Sequence, residues 1–191
     1  MDGMPGEARL IGAGSSFSAR LEQWAAAARV DAAADRRSRE RWLQEAAAGD
    51  ASFAGVLIDL AERGIRVQLV LATGRRLVGR IEGIGADFVA LASAPASDAL
   101  VPLAAVDQVA ALDDAPIAGD RAVATDLRLA DVLGQLAADR DRVRVVARDA
   151  AAPVSGVLRS AGTDVVTVRT DADPPVTVSL PLAALSEVLL T

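Results

Sequence analysis

Ile65-Arg66-Val67-Gln68-Leu69-Val70-Leu71-Ala72-Thr73-Gly74 opens the stretch, residues 65–112, from which the rest of the chain is read. Val67, Leu69 and Leu71 alternate with Arg66, Gln68 and Val70, the period of a half-buried strand. Thr73-Gly74 supplies turn chemistry, because glycine tolerates positive φ. Leu77 to Ile84 reads as a second strand with Gly79 and Gly83 inside it. Glycine within a strand marks a bend or a close backbone approach. After the turn Gly85-Ala86-Asp87 come a third strand at Phe88–Leu91, a fourth at Leu100–Leu103 and a short fifth at Val106–Leu112.

A degraded copy follows. Val143 and Val145 match Val67 and Leu69 at an offset of 76 (143 − 67). Gly156, Gly162 and Asp164 match Gly79, Gly85 and Asp87 at 77, and Pro181-Leu182-Ala183-Ala184 matches Pro102-Leu103-Ala104-Ala105 at 79. The offset grows only in turns and loops, where insertions are tolerated. The repeat extends upstream. Phe53, Val56, Leu57 and Leu60 have the spacing of one helix face, and Leu129, Val132, Leu133 and Leu136 repeat it. Asp50 and Asp126 are placed to cap the two helices, and Gly64 to end the first. Leu69, Ile81, Val89 and Leu103 are expected in the core, as are Val145, Leu158, Val166 and Leu182.

The expected fold class is mainly β with α: two tandem five-stranded barrels, each preceded by a helix, plus a long N-terminal helix. Residues 1–17 read as a disordered N-terminus and 18–48 as the long helix, with Ser18 as N-cap. Residues 50–112 form the first unit, 113–125 a linker and 126–191 the second. Trp24 and Trp42, eighteen residues apart, share a helix face that is expected to dock it onto a barrel, the alternative being a self-association face. An open edge strand is a liability, so the two units are expected to pack together and to join sheet edges.

The order of a helix and five strands resembles the Sm-like (LSm/Hfq-type) barrel, a member of the wider SH3-like class. Gly79-x-Ile81-x-x-Ile84 followed by Phe88-Val89-x-Leu91 is similar to the first Sm motif, and Val101-Pro102-Leu103 to Val109 to the second. The resemblance implies the fold and association through edge strands. It does not carry over the RNA-binding residues. Gly85 sits near the position of the family's aspartate, Asp87 comes two residues later, the chain has no Asn, and the lysine–histidine pair of the Hfq type is absent. The chain also resembles uncharacterised actinobacterial proteins with this repeat, some labelled transcription regulators.

Composition excludes much chemistry. The chain has no Cys, His, Lys or Tyr, and all 20 basic residues are Arg. That removes the thiolate, the commonest general base and the commonest metal ligand. No Gly-x-Ser-x-Gly elbow occurs, and Asp171-Ala172-Asp173 has too few oxygens for a calcium or magnesium site. The chain is therefore expected not to be an enzyme and to need no cofactor or metal. No apolar run has membrane-spanning length and no signal peptide is seen, which predicts a cytoplasmic protein away from membranes.

The net charge of −6 opposes contact with phosphate. Arg36, Arg37, Arg39 and Arg41 form a basic cluster, offset by Asp35, Glu40 and Glu45, and Arg75-Arg76 lies in the first β-turn. These six arginines are the candidate contacts to a nucleic acid or another partner. The expected function is a non-catalytic binding or scaffold module working through protein–protein contacts, with an unknown protein partner or a second copy. The alternative is a nucleic-acid-associated regulator of Sm-like type.

Overall fold

The computed structural model of the chain describes residues 17–30, 52–93, 97–113, 123–149 and 152–191. The described residues are mainly β, with three α-helices among them: α1 (Phe17–Val30), α2 (Phe53–Glu62) and α3 (Leu129–Ala138). Among the described residues no helix is long and apolar enough to cross a membrane.

The first unit is α2 followed by β1 (Arg66–Leu71), β2 (Arg76–Ile84), β3 (Phe88–Ala92), β4 (Ala99–Pro102) and β5 (Val106–Ala111). A two-residue strand, β6 (Val123–Ala124), runs parallel to β2. The second unit is α3 followed by β7 (Arg142–Ala147), β8 (Val154–Ala161), β9 (Val165–Thr170), β10 (Thr177–Pro181) and β11 (Leu185–Leu190). A single turn of 3-10 helix joins the last two strands of each unit.

The two units share one pairing plan. In the first, β5 pairs with β1, β1 with β2, β2 with β3 and β3 with β4, all antiparallel. In the second, β11, β7, β8, β9 and β10 follow the same order. The irregularities repeat too. Register slips between Ile81 and Gly83 and, 77 residues on, between Leu158 and Ser160. An extra residue in one strand bends and twists it, so equal bulges give the units equal curvature. Gly79 and Gly156 stand in register with Val67 and Val143. A Cβ built on Gly79 falls 2.1 Å from the Ala92 carbonyl oxygen, and one on Gly156 falls 2.0 Å from that of Arg169. Neither strand can carry a side chain there.

The sheet does not close. The path runs β10-β9-β8-β7-β11-β4-β3-β2-β1-β5, with the units joined edge to edge where β4 meets β11. Each unit is thus an open, bent five-strand path, where a barrel had been expected. Two apolar clusters fill the bends. One holds Leu57, Leu60, Val67, Leu69, Ile81, Val89, Leu91 and Val101 from the first unit. The other gathers α3 and the second unit's strands, together with Phe88, Ala90 and Leu100 of the first unit and Phe17 and Leu21 of α1.

Several sequence expectations need correction. Leu103 and Leu182 are only half-buried, because they open the 3-10 turns, where strand alternation has ended. Helix α1 begins at Phe17, so Ser18 lies inside its first turn. The N-cap of α3 is Arg128 and not Asp126, and the Arg128 N–H donates to Asp131 Oδ2 at 2.8 Å. Asp50, Trp42 and the linker's central residues lie outside the described residues. Ser52 caps α2, accepting from the Gly55 N–H at 3.1 Å. Gly64 follows α2 at φ +61°, the left-handed conformation expected of a residue that ends a helix. Trp24 does pack against the second cluster, edge-on to Phe17 and with the Arg20 guanidinium over its ring.

Candidate interaction surface

The seam between the units places polar side chains together from both. On the β-ladder, Val188 faces Leu100 and Leu189 faces Ala99, and the Leu190 N–H donates to the Asp98 carbonyl at 2.9 Å. The β1–β2 turn of the first unit leans over β11. Thr73 Oγ1 lies 3.4 Å from Ser186 Oγ, and Arg75 Nε lies 2.7 Å from Glu187 Oε1. Below this, Asp87 Oδ1 accepts from the Leu129 N–H at 2.7 Å, so the first unit supplies an acceptor to the first turn of α3. That is the task of an N-cap side chain, done here by a residue from another segment. Phe88, wholly buried, packs in the cluster built around α3.

Glu187 is the unusual group. It is fully buried, and neither carboxylate oxygen makes a well-aligned hydrogen bond, although Arg75 approaches closely. Burial pushes its carboxyl above the ordinary value, while the charges of Arg75 and Arg144 pull the other way. Desolvation of a carboxylate is costly unless its partner is close and aligned. Arg75 remains 46% exposed and so is still solvated on one side.

The six candidate arginines do not form one described patch. Arg36, Arg37, Arg39 and Arg41 lie outside the described residues. Arg75 is committed to Glu187, and Arg76, the first residue of β2, points to solvent. Arg142 pairs with Asp171 at 2.6 Å, and Arg20 with Asp141 and, more loosely, Asp139. Among the described residues no group of three Asp or Glu stands close enough to hold a metal ion.

Two apolar features escaped the sequence reading. Phe53 and Val56 were expected on the buried face of α2, yet they are 39% and 41% exposed. Their counterparts on α3, Leu129 and Val132, are 4% and 0% exposed because the first unit covers them. The helical period identifies a face but not what lies against it. Glu187 was readable in principle, as the one charged residue in the strand Leu185–Leu190.

No protein-family model matches the chain, and no curated protein matches it either.

Proposed function

We propose that the chain is a non-catalytic binding or scaffold module, built on two tandem small barrels of the Sm-like kind and acting through protein–protein contacts. The observation that carries this reading is the pair of open sheet ends. β5 has β1 as its single strand neighbour and β10 has β9, which leaves one side of each strand unpaired among the described residues. Natural edge strands are usually blunted by charge. β10 has no charged residue and β5 has one, Asp107. Beside β5's unit lies the uncovered apolar face of α2, with Phe53 and Val56. Addition of an extended segment to an open sheet edge, with apolar side chains beside it, is a recurring mode of polypeptide recognition.

The alternative, a nucleic-acid-associated regulator, has less support. Phosphate contact needs clustered cations. The turn arginine Arg75 is occupied by a buried carboxylate, and the chain carries a net charge of −6.

The test is cross-linked co-purification of the tagged full chain from its native cell, set beside a Phe53→Asp/Val56→Asp variant. The wild type should retain a defined protein and the variant should lose it. An unchanged partner set, or none with the wild type, refutes the reading.

A further inference from the structure

Inside this chain one sheet edge already docks on another, and the two edges left over are their repeats. At the seam, one side presents β4, Asp87 and Phe88; the other presents β11 and the helix face of Leu129 and Val132. Moved along by the repeat, the first set becomes β10, Asp164 and Val165, and the second becomes β5 with Phe53 and Val56. Each transposed apolar residue is uncovered: Val165 is 37% exposed, Phe53 39% and Val56 41%, against 0% for Phe88, 4% for Leu129 and 0% for Val132. These account for three of the six large apolar side chains found exposed among the described residues. Both halves of the joint are thus repeated, and both are bare.

We propose that copies of this chain join head to tail, the β10 end of one seating on the β5 and α2 end of the next, as β4 seats on β11. This rests on the protein–protein reading and names a second copy as the partner. The seam sets the register. Val188 facing Leu100 becomes Val109 facing Ser179, and Leu189 facing Ala99 becomes Ala110 facing Val178. The bond from Leu190 N–H to the Asp98 carbonyl becomes one from Ala111 N–H to the Thr177 carbonyl. Asp164 takes the place of Asp87 at the first turn of the neighbour's α2. Pro181 is no obstacle, because its counterpart Pro102 ends the strand that pairs at the seam. Several polar elements of the seam are not repeated: Asp107 stands where Ser186 does, Asp149 where Thr73 does and Ser179 where Leu100 does. Gln108 stands where Glu187 does, and Ala152 where Arg75 does. Both of these are neutral, so the outer joint has no counterpart of the Arg75–Glu187 pair, which marks the inner joint as distinct, and the two aspartates, Asp107 and Asp149, face each other there instead. The two surfaces differ, so the contact is heterologous. Such contacts do not saturate at two copies but run on to a ring or a filament.

Sedimentation velocity of the full chain over a concentration series reaching about 1 mM tests this. The wild type should exceed twice the 19.6 kDa of one chain. Phe53→Asp disables one end and Val165→Asp the other, so each alone should stay monomeric. An equimolar mixture should recover a one-to-one dimer and nothing larger, because one good end remains on each. Both residues lie at the surface, and an unchanged urea midpoint confirms that each variant folds; Val56→Glu and Ser179→Glu replace either that does not. A wild type that stays monomeric overturns self-assembly, while leaving capture of a different protein to its own co-purification test. A mixture that stays monomeric, or a Val165→Asp variant that assembles like the wild type, overturns the head-to-tail arrangement.

Discussion

Gly156→Ala should be among the most damaging single-methyl additions this chain can receive, and Gly134→Ala should act in the opposite direction. The added Cβ at Gly156 would lie 2.0 Å from the Arg169 carbonyl oxygen, 2.7 Å from its carbon and 2.8 Å from Thr170 Cα. All three are backbone atoms, so no side chain can swing aside. Restoring an ordinary contact of 3.4 Å means moving β9 away by about 1.4 Å. That pulls apart the register in which Gly156 faces Thr170 and Val157 faces Arg169. Overpacking of this kind costs about 1–3 kcal/mol. Each backbone hydrogen bond stretched in the ladder adds roughly 0.5–1.5 kcal/mol. The expected loss is therefore about 2–5 kcal/mol, a large share of the roughly 5–15 kcal/mol that holds a domain folded. Gly134 sits inside α3, where a Cβ meets nothing within 4 Å. Alanine there should raise stability by about 0.5–1 kcal/mol through helix propensity alone. Urea titration followed by circular dichroism gives both changes from the midpoint at constant slope. A Gly156→Ala protein within about 0.5 kcal/mol of the wild type would show that the close approach of β8 and β9 is not a feature of the folded chain. Gly79→Ala, 2.1 Å from the Ala92 carbonyl oxygen, should repeat the loss in the first unit.

Glu187→Gln tests the buried carboxylate. Burial raises its folded pKa above 4.5, so the folded state binds the proton more tightly than the unfolded chain. Stability from this group is then greatest below pH 4.5 and is lost as pH rises through the raised value. The glutamine variant should be the more stable at neutral pH, the advantage fading on acidification, and Arg75→Ala should steepen the wild-type loss; parallel stability profiles for wild type and Glu187→Gln would refute this. Asp87→Ala removes the acceptor at the first turn of α3 and should cost about 1 kcal/mol in urea titration, whereas Asp164→Ala in the monomer should change little. Fluorescence anisotropy with single-stranded RNA and duplex DNA should show no sub-micromolar binding at physiological salt. If binding appears, its loss on Arg36→Ala/Arg37→Ala or on Arg75→Ala/Arg76→Ala will say which arginines carry it.

The strands and their duplication were legible in the sequence, because alternation and strand glycines are local signals. Val67, Leu69 and Gly79 recur as Val143, Val145 and Gly156, and all six are buried in equivalent places. The joining of sheet edges was expected too, from the cost of leaving an edge unpaired. Which edges meet depends on contacts between residues far apart in the chain, and no period of 2 or 3.6 encodes them. The identical spacings of α2 and α3 make the point. Leu129 and Val132 are covered by Phe88 and its neighbours, while Phe53 and Val56 stay bare, because only α3 has the other unit beside it. Glu187 likewise looked like one acid among 26, and folding placed it dry beneath Arg75. Local pattern thus determined the parts and their repetition. The tertiary structure decided which surfaces are covered, since burial belongs to a pair of surfaces and a sequence period describes one at a time.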